Sequence, residues 1–395
     1  MIKYYPIVEN QKEKLKSLCE EKLNSLYPNA SLEIRERLNY ELEMIHKTET
    51  EAIFLLLSET FRKLNLKTNQ FAIRGLMGNS LVAFLCGISN VDPVKFGLLP
   101  YLAFGVDDCY KEPDIDINFS SEELLKKIIE ELERCDEIYK LVNANVKSVS
   151  GKLTPHVSKQ FIIPKIKEFG DNNYYEIVNK LQTTDCHEVD EFYSLDFFTM
   201  DALSMLNDLS EITNKNLEDI DIDNNSVIDY LINKEYDVAF ENVPEISNPF
   251  YVDIANFIKP VTFDDLVKIV SLGHGTNVWD NNAEVLMEDI GLSIDDVITN
   301  RDDLFSALQK YGFGIEDSFK ITEDVRKGKA IPKDKYDSNV LKEHNVPEWF
   351  EKSCDKIKYL YPKGHAISNT LIYWRLIWFK INFEMEYNSV AKKYL

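Results

Sequence analysis

Two aspartates one residue apart, Asp114 and Asp116, sit in Pro113-Asp114-Ile115-Asp116-Ile117-Asn118-Phe119, where every second residue is apolar. Period-2 alternation predicts a β-strand with Ile115, Ile117 and Phe119 on one face and both carboxylates on the other. A rigid pair of acids, joined by a third from elsewhere, can share divalent cations about 3.5–4 Å apart and clamp the attacking and leaving oxygens of a phosphoryl transfer. Tyr193-Ser194-Leu195-Asp196-Phe197-Phe198 reads as a second strand whose Asp196 projects away from Leu195 and Phe197, which supplies a third acid. The spacing alone is weak, because 67 of the 395 residues are acidic. On that composition about one Asp in six has an acid two positions on.

Other elements could serve the same chemistry. Phe71-Ala72-Ile73 reads as a short strand, followed by the glycine-bearing turn Arg74-Gly75-Leu76-Met77-Gly78-Asn79-Ser80 and a helix from Leu81 to Cys86. A helix entered from such a turn offers free N–H groups to an anion. The formal net charge of −22 opposes nucleic-acid binding by the whole molecule. Residues 321–365 depart from that field, with ten Lys and Arg against eight Asp and Glu. A polyanion is therefore expected at that end of an otherwise acidic chain.

Composition, at 44% hydrophobic and 28% charged residues, is that of a globular protein with enough chain for two or three cores. The longest apolar runs, such as Ala52 to Leu57, are too short for a membrane span of about 20 residues, and Ile2-Lys3-Tyr4-Tyr5 does not resemble a signal-peptide core. The expected location is the cytoplasm, with no membrane partner. Six scattered cysteines without a C-x-x-C pair read as free thiols. Asp219-x-Asp221-x-Asp223 lacks the glycine and terminal glutamate of a calcium loop and reads as acidic surface.

Apolar spacing predicts two amphipathic helices within residues 9–47, a more apolar helix from Ala52 to Leu64, and a solvated helix from Glu122 to Arg134. After Asp201 the pattern is mainly helical, over about 201–213, 225–233, 263–271, 281–289, 301–311, 315–326, 347–358 and 365–383.

Taken together, the motifs resemble the catalytic core of the C-family replicative DNA polymerases, in particular the PolC type of DNA polymerase III alpha subunit. Ile73 to Ser80 is similar to that family's palm glycine turn, Pro113 to Phe119 to its catalytic strand, and Leu195-Asp196 to its third-aspartate strand. Leu272-Gly273-His274-Gly275-Thr276-Asn277-Val278-Trp279, Val325-Arg326-Lys327-Gly328-Lys329 and Tyr361-Pro362-Lys363-Gly364-His365-Ala366 resemble fingers motifs, in the same order along the chain.

The resemblance implies an α+β fold: a nucleotidyltransferase-type palm with a small mixed sheet over residues 1–120 and 160–205, a reduced thumb-like insertion at 121–159, and mainly helical fingers at 206–395. It implies that Asp114, Asp116 and Asp196 carry two magnesium ions, with manganese as a substitute. Arg74, Gly75, Gly78, Asn79 and Ser80 would meet the triphosphate from one side, and His274, Gly275, Thr276, Arg326, Lys327, Lys329, Lys363 and His365 from the other. The implied partners are nucleoside triphosphates and a primer or primer-template, with room for a second protein to supply duplex contacts.

The departures bear on function. The palm's cysteine-rich zinc-binding insertion is missing, the span from Asp116 to Asp196 is short, and Ile73 and Leu76 stand where the family turn offers serines. Around Lys152-Leu153-Thr154-Pro155-His156 the family's glycine-rich segment is barely recognisable, and no duplex-binding or exonuclease part flanks the motifs. The expectation is a minimal stand-alone core, of a kind a mobile element or defence system could carry, that adds nucleotides to a 3′-hydroxyl. The alternative is a catalytically silent polymerase-core mimic that binds a replication or defence partner.

Overall fold

The computed structural model describes residues 10–106, 109–134, 140–142, 145–147, 153–155, 159–164, 180 and 192–394. They fall into two compact units, Met1–Phe96 with Tyr110–Ser204 and Gly97–Cys109 with Met205–Leu395. Much of the expected thumb-like insertion, including Lys152 and His156, lies outside the described residues.

The first unit is built on a mixed sheet. Its strands are β1 Phe71–Ile73, β2 Ile115–Phe119, β3 Lys140–Val142, β6 Lys159–Pro164 and β7 Phe192–Thr199, in the order β1-β2-β7-β6-β3. A separate antiparallel pair joins β4 Asn145–Lys147 to β5 Leu153–Pro155. β2 and β7 run parallel while the other neighbours are antiparallel. A parallel pair needs a crossover of a dozen or more residues, and the helix Glu122–Glu133 begins directly after β2. Ser121 accepts from the Leu124 amide at 3.1 Å, Glu122 and Glu123 sit in the first turn, and Leu125, Ile128, Ile129 and Leu132 form the buried stripe.

Alternation sends Ile115, Ile117, Phe119, Leu195, Phe197, Phe161 and Ile163 to one buried face. Phe119 sits edge-on to Phe197 at 5.5 Å and to Phe61 of the helix Glu51–Lys63 at 6.0 Å, and Phe61 also meets Phe71 at 5.0 Å. Each such ring contributes about 1.5–3 kcal/mol by leaving water. That packing is what pins the register, since a slip of one residue would turn every carboxylate on the sheet into the core.

The second unit is helical among its described residues. The helix Asn225–Asn233 matches the spacing, whereas Pro249–Ile258 has no counterpart among the expected helices. Phe263–His274 opens with a capping box between Thr262 and Asp265 and runs to His274, past the expected end at 271. Lys363–Asn382, expected over 365–383, is buried on nearly all sides.

Candidate active site

Asp116 and Asp196 are register partners across the parallel β2–β7 pair. Partners in register point to the same face, and neighbouring strands lie about 4.8 Å apart. Both are half-buried, while Asp114 stands exposed at the entrance to β2. Gln160 of β6 faces Asp196 from the opposite side, and Ser194 donates to Asp196 Oδ1 at 3.0 Å.

The glycine turn closes over the same carboxylates. The Arg74 amide donates to the Asp116 carbonyl at 2.9 Å. Gly75 has φ +58°, and a side-chain carbon there would lie 3.6 Å from Asp116 Oδ2. The Arg74 guanidinium lies 4.1 Å over the Phe198 ring and its Nη1 donates to Asn118 Oδ1 at 3.3 Å. Asn118, buried, also donates to the Met200 sulfur. Neither Asn118 nor Phe198 was among the expected site residues, although both share the polar face with the aspartates by strand alternation.

Burial first, and then the Asp114 and Asp196 carboxylates, push the Asp116 carboxyl well above its ordinary range, with the Arg74 guanidinium pulling the other way. Two carboxylates at strand spacing repel by about 3 kcal/mol at an effective dielectric near 20. A bound proton or a cation relieves that repulsion. Among the described residues no group of three or more His, Cys, Asp or Glu side chains is placed to hold a metal ion. The donor set nevertheless fits magnesium, which ordinarily takes one or two carboxylates and completes its shell with water and substrate phosphates.

The rest of the turn is occupied internally. The Ser80 hydroxyl donates to buried Glu41 at 3.0 Å and accepts from the Ala83 amide at 3.0 Å. Glu41 also takes the Val82 amide and Arg37 Nε, and Arg37 Nη2 donates to the Asn79 carbonyl. Gly78, Asn79 and Ser80 are buried. The helix that follows, Leu81–Leu85, is a single turn. What this part of the turn offers the site is rigidity, and the groups left beside the acids are Arg74 and Gly75.

In the second unit the three expected fingers motifs meet through residues 358–365. The His274 ring stacks on Tyr361 at 4.5 Å, and Tyr361 on His365 at 4.7 Å. Thr276 bridges to Tyr359, its amide donating to the Tyr359 carbonyl at 2.9 Å. Gly328, at φ +76°, packs against the Lys358 carbonyl, 3.0 Å from where a side-chain carbon would sit. Arg301, which the motifs did not mark, is buried and donates from Nε to the Leu360 carbonyl at 2.7 Å. Burial and then Arg326 lower its pKa. Gly275 needs its small size because any side-chain carbon would meet Val278 at 2.5 Å.

The expected cations carry local partners. Arg326 makes two 2.7 Å bonds to Glu323, Lys327 lies 3.7 Å from Glu323, Lys329 3.6 Å from Asp324 and Lys363 3.8 Å from Asp264. Most of these pairs are solvent-facing, and such pairs are worth at most about 1 kcal/mol, so a phosphate can compete for the cations.

Two family matches place this chain with the C-family DNA polymerase III alpha proteins. Residues 13–142 match the family of the bacterial DNA polymerase III alpha NTPase domain and residues 199–344 that of the bacterial DNA polymerase III alpha subunit finger domain. Within that family the chain is similar to DNA polymerase III PolC-type proteins. It is 26% identical to the one from Caldanaerobacter subterraneus over 95% of this chain and 33% of the relative, and 27% identical to that of Mycoplasmopsis pulmonis over 97% and 33%. With the Lacticaseibacillus paracasei protein identity reaches 38%, over 37% of this chain and 10% of that one. The chain thus spans about a third of the length of the first two relatives. The first alignment covers 478 positions against a chain of 395, so that relative carries segments inside the match that this chain lacks. No helix among the described residues is long and apolar enough to cross a membrane.

Proposed function

We propose that the chain is a minimal nucleotidyltransferase of the polymerase III alpha type that adds nucleotides to a 3′-hydroxyl with the help of two divalent cations, magnesium or manganese. The register pairing of Asp116 with Asp196 carries this reading, because it holds two acids side by side on a rigid sheet with Asp114 at its open end. Those three carboxylates would hold the cations, which when bound activate the hydroxyl and neutralise charge on the phosphate under attack. Asp116, whose carboxyl is pushed above its ordinary range by burial and by Asp114 and Asp196, would hold a cation in its deprotonated form. Arg74 and the Gly75 backbone meet the triphosphate from the palm side, while Gly78, Asn79 and Ser80 keep that turn in place through Glu41.

From the fingers, Arg326, Lys327, Lys329 and Lys363 supply charge to the phosphates, and His274 and His365 supply donors presented by the Tyr361 stack. Gly275 and Thr276 fix the loop against Tyr359. The primer or primer-template, and a second protein gripping the duplex, are the partners this reading requires, in the setting of a mobile element or defence system. The test is primer extension with labelled deoxynucleoside triphosphates and magnesium or manganese. Incorporation by wild type and its loss in Asp116→Asn support the proposal, and equal incorporation, or none in either, contradicts it.

A second reading, a silent core that binds a protein partner, draws on the pairing of Arg326, Lys327 and Lys329 with Glu323 and Asp324. Partner capture indifferent to Asp114→Asn, together with absent incorporation, would favour it.

A further inference from the structure

The loop ahead of the helix Pro249–Ile258 holds an unusual residue. Glu245 lies in the left-handed region at φ +69°, which costs a residue with a side chain about 1–2 kcal/mol. The carboxylate so placed makes two contacts through one oxygen. Oε2 accepts the hydroxyl of Tyr373 and lies 3.8 Å from Nε2 of His274. Tyr373 is wholly buried in the helix Lys363–Asn382, so it anchors the carboxylate to the centre of the unit.

We infer that Glu245 is a positioning residue that holds His274 as an imidazolium, the charge state a phosphate ligand requires. Three further features agree. His274 ends the helix Phe263–His274, where the unsatisfied carbonyls favour a cation. Its ring is fixed on both sides, stacked on Tyr361 at 4.5 Å and edge-on to Tyr251 at 5.8 Å. Tyr251 in turn occupies the space that any side chain at Gly273 would need, 2.0 Å from its ring.

Several titratable groups among the described residues lie around His274. Glu245 comes from the loop, Tyr251 from the helix Pro249–Ile258, and Tyr361, His365 and Tyr373 from residues 361–373. Burial, followed by Glu245, raises the Tyr251 and Tyr373 hydroxyls, which therefore stay neutral at physiological pH. His365 sits one ring further along the stack. Glu245 is the carboxylate paired with His274. The purpose of the arrangement rests on the nucleotide-binding reading above, whereas the coupling itself does not.

The test reads the titration of His274 by proton NMR of its ring, assigned by the signal lost in His274→Gln, in the full chain without nucleotide. The wild-type midpoint is expected above the ordinary value of about 6.5, and Glu245→Gln should lower it by about half a pH unit. A wild-type midpoint at or below the ordinary value, or one unmoved in folded Glu245→Gln, overturns the coupling. If Glu245→Gln does not fold, Glu245→Asp carries the test: a smaller fall supports it and no fall overturns it. Affinity for a deoxynucleoside triphosphate should weaken several-fold in Glu245→Gln, and unchanged affinity overturns the positioning role. Because the titration is read without nucleotide, its failure is distinct from a failure of nucleotide addition.

Discussion

Asp116 and Asp196 face each other in register across the parallel pair β2–β7, and the backbone of Asp116 also receives the Arg74 amide. Two like charges are thereby fixed on a sheet that the Phe119–Phe197–Phe161 packing prevents from sliding. Without a cation this arrangement costs stability. In metal-free buffer at neutral pH, Asp116→Asn should melt higher than wild type, by about 2–4 °C for each kcal/mol of repulsion relieved.

The pH dependence has a definite sign. The native carboxyl of Asp116 titrates above its unfolded value, so the native state binds more protons and stability falls as pH rises through the raised value. The advantage of Asp116→Asn should be greatest at neutral and alkaline pH and vanish towards the unfolded value near about 4. Melting curves in a chelator from pH 4 to 8 measure it, and a difference flat with pH contradicts the raised carboxyl.

Gly75 separates backbone strain from packing. Its φ of +58° disfavours side chains, but a carbon there would meet Asp116 at an ordinary 3.6 Å. Gly75→Ala should cost about 1–2 kcal/mol, and Gly75→Asn less, because Asn tolerates the left-handed region. Urea unfolding of both variants is the measurement.

Gly273 is the opposite case, with its backbone ordinary and its space filled by Tyr251. Gly273→Ala should cost about 1–3 kcal/mol of overpacking. Adding Tyr251→Leu should recover part of that loss, so the double variant is less unstable than the two single losses added together.

Ser80 tests the division of labour in the glycine turn. Its hydroxyl is bound to Glu41 and to the Ala83 amide, so Ser80→Ala should lower stability by about 1–2 kcal/mol. Nucleotide affinity should change little beyond what that loss of stability explains. Calorimetric titration with a deoxynucleoside triphosphate distinguishes this from Arg74→Ala, which should weaken binding directly.

Much of the site was legible because strands write their faces into the sequence every second residue. Asp116 and Asp196 could be assigned to strands by alternation alone, whereas Asp114, expected on the same strand, stands just ahead of it, and β7 was found within a residue or two at each end. Asn118 was legible by the same rule and was passed over. What spacing cannot convey is pairing. That β2 and β7 are parallel neighbours, with the two aspartates in register, depends on a crossover whose direction no local pattern records. The fingers motifs show the limit from the other side. Glycines 273, 275 and 328 were visible, but their reasons, the Tyr251 ring, Val278 and the Lys358 carbonyl, lie 3 to 30 residues away. Glu245 carried no signal, since its left-handed backbone and its bond to Tyr373 exist only once the helices have packed.

The most direct test of the paired carboxylates is manganese binding in the presence of a deoxynucleoside triphosphate, followed by electron paramagnetic resonance in wild type, Asp116→Asn and Asp196→Asn. Wild type should bind manganese with nucleotide, and each substitution should weaken that binding at least tenfold while the protein remains folded. Equal manganese binding in all three would contradict the assignment of Asp116 and Asp196 as the cation-holding pair.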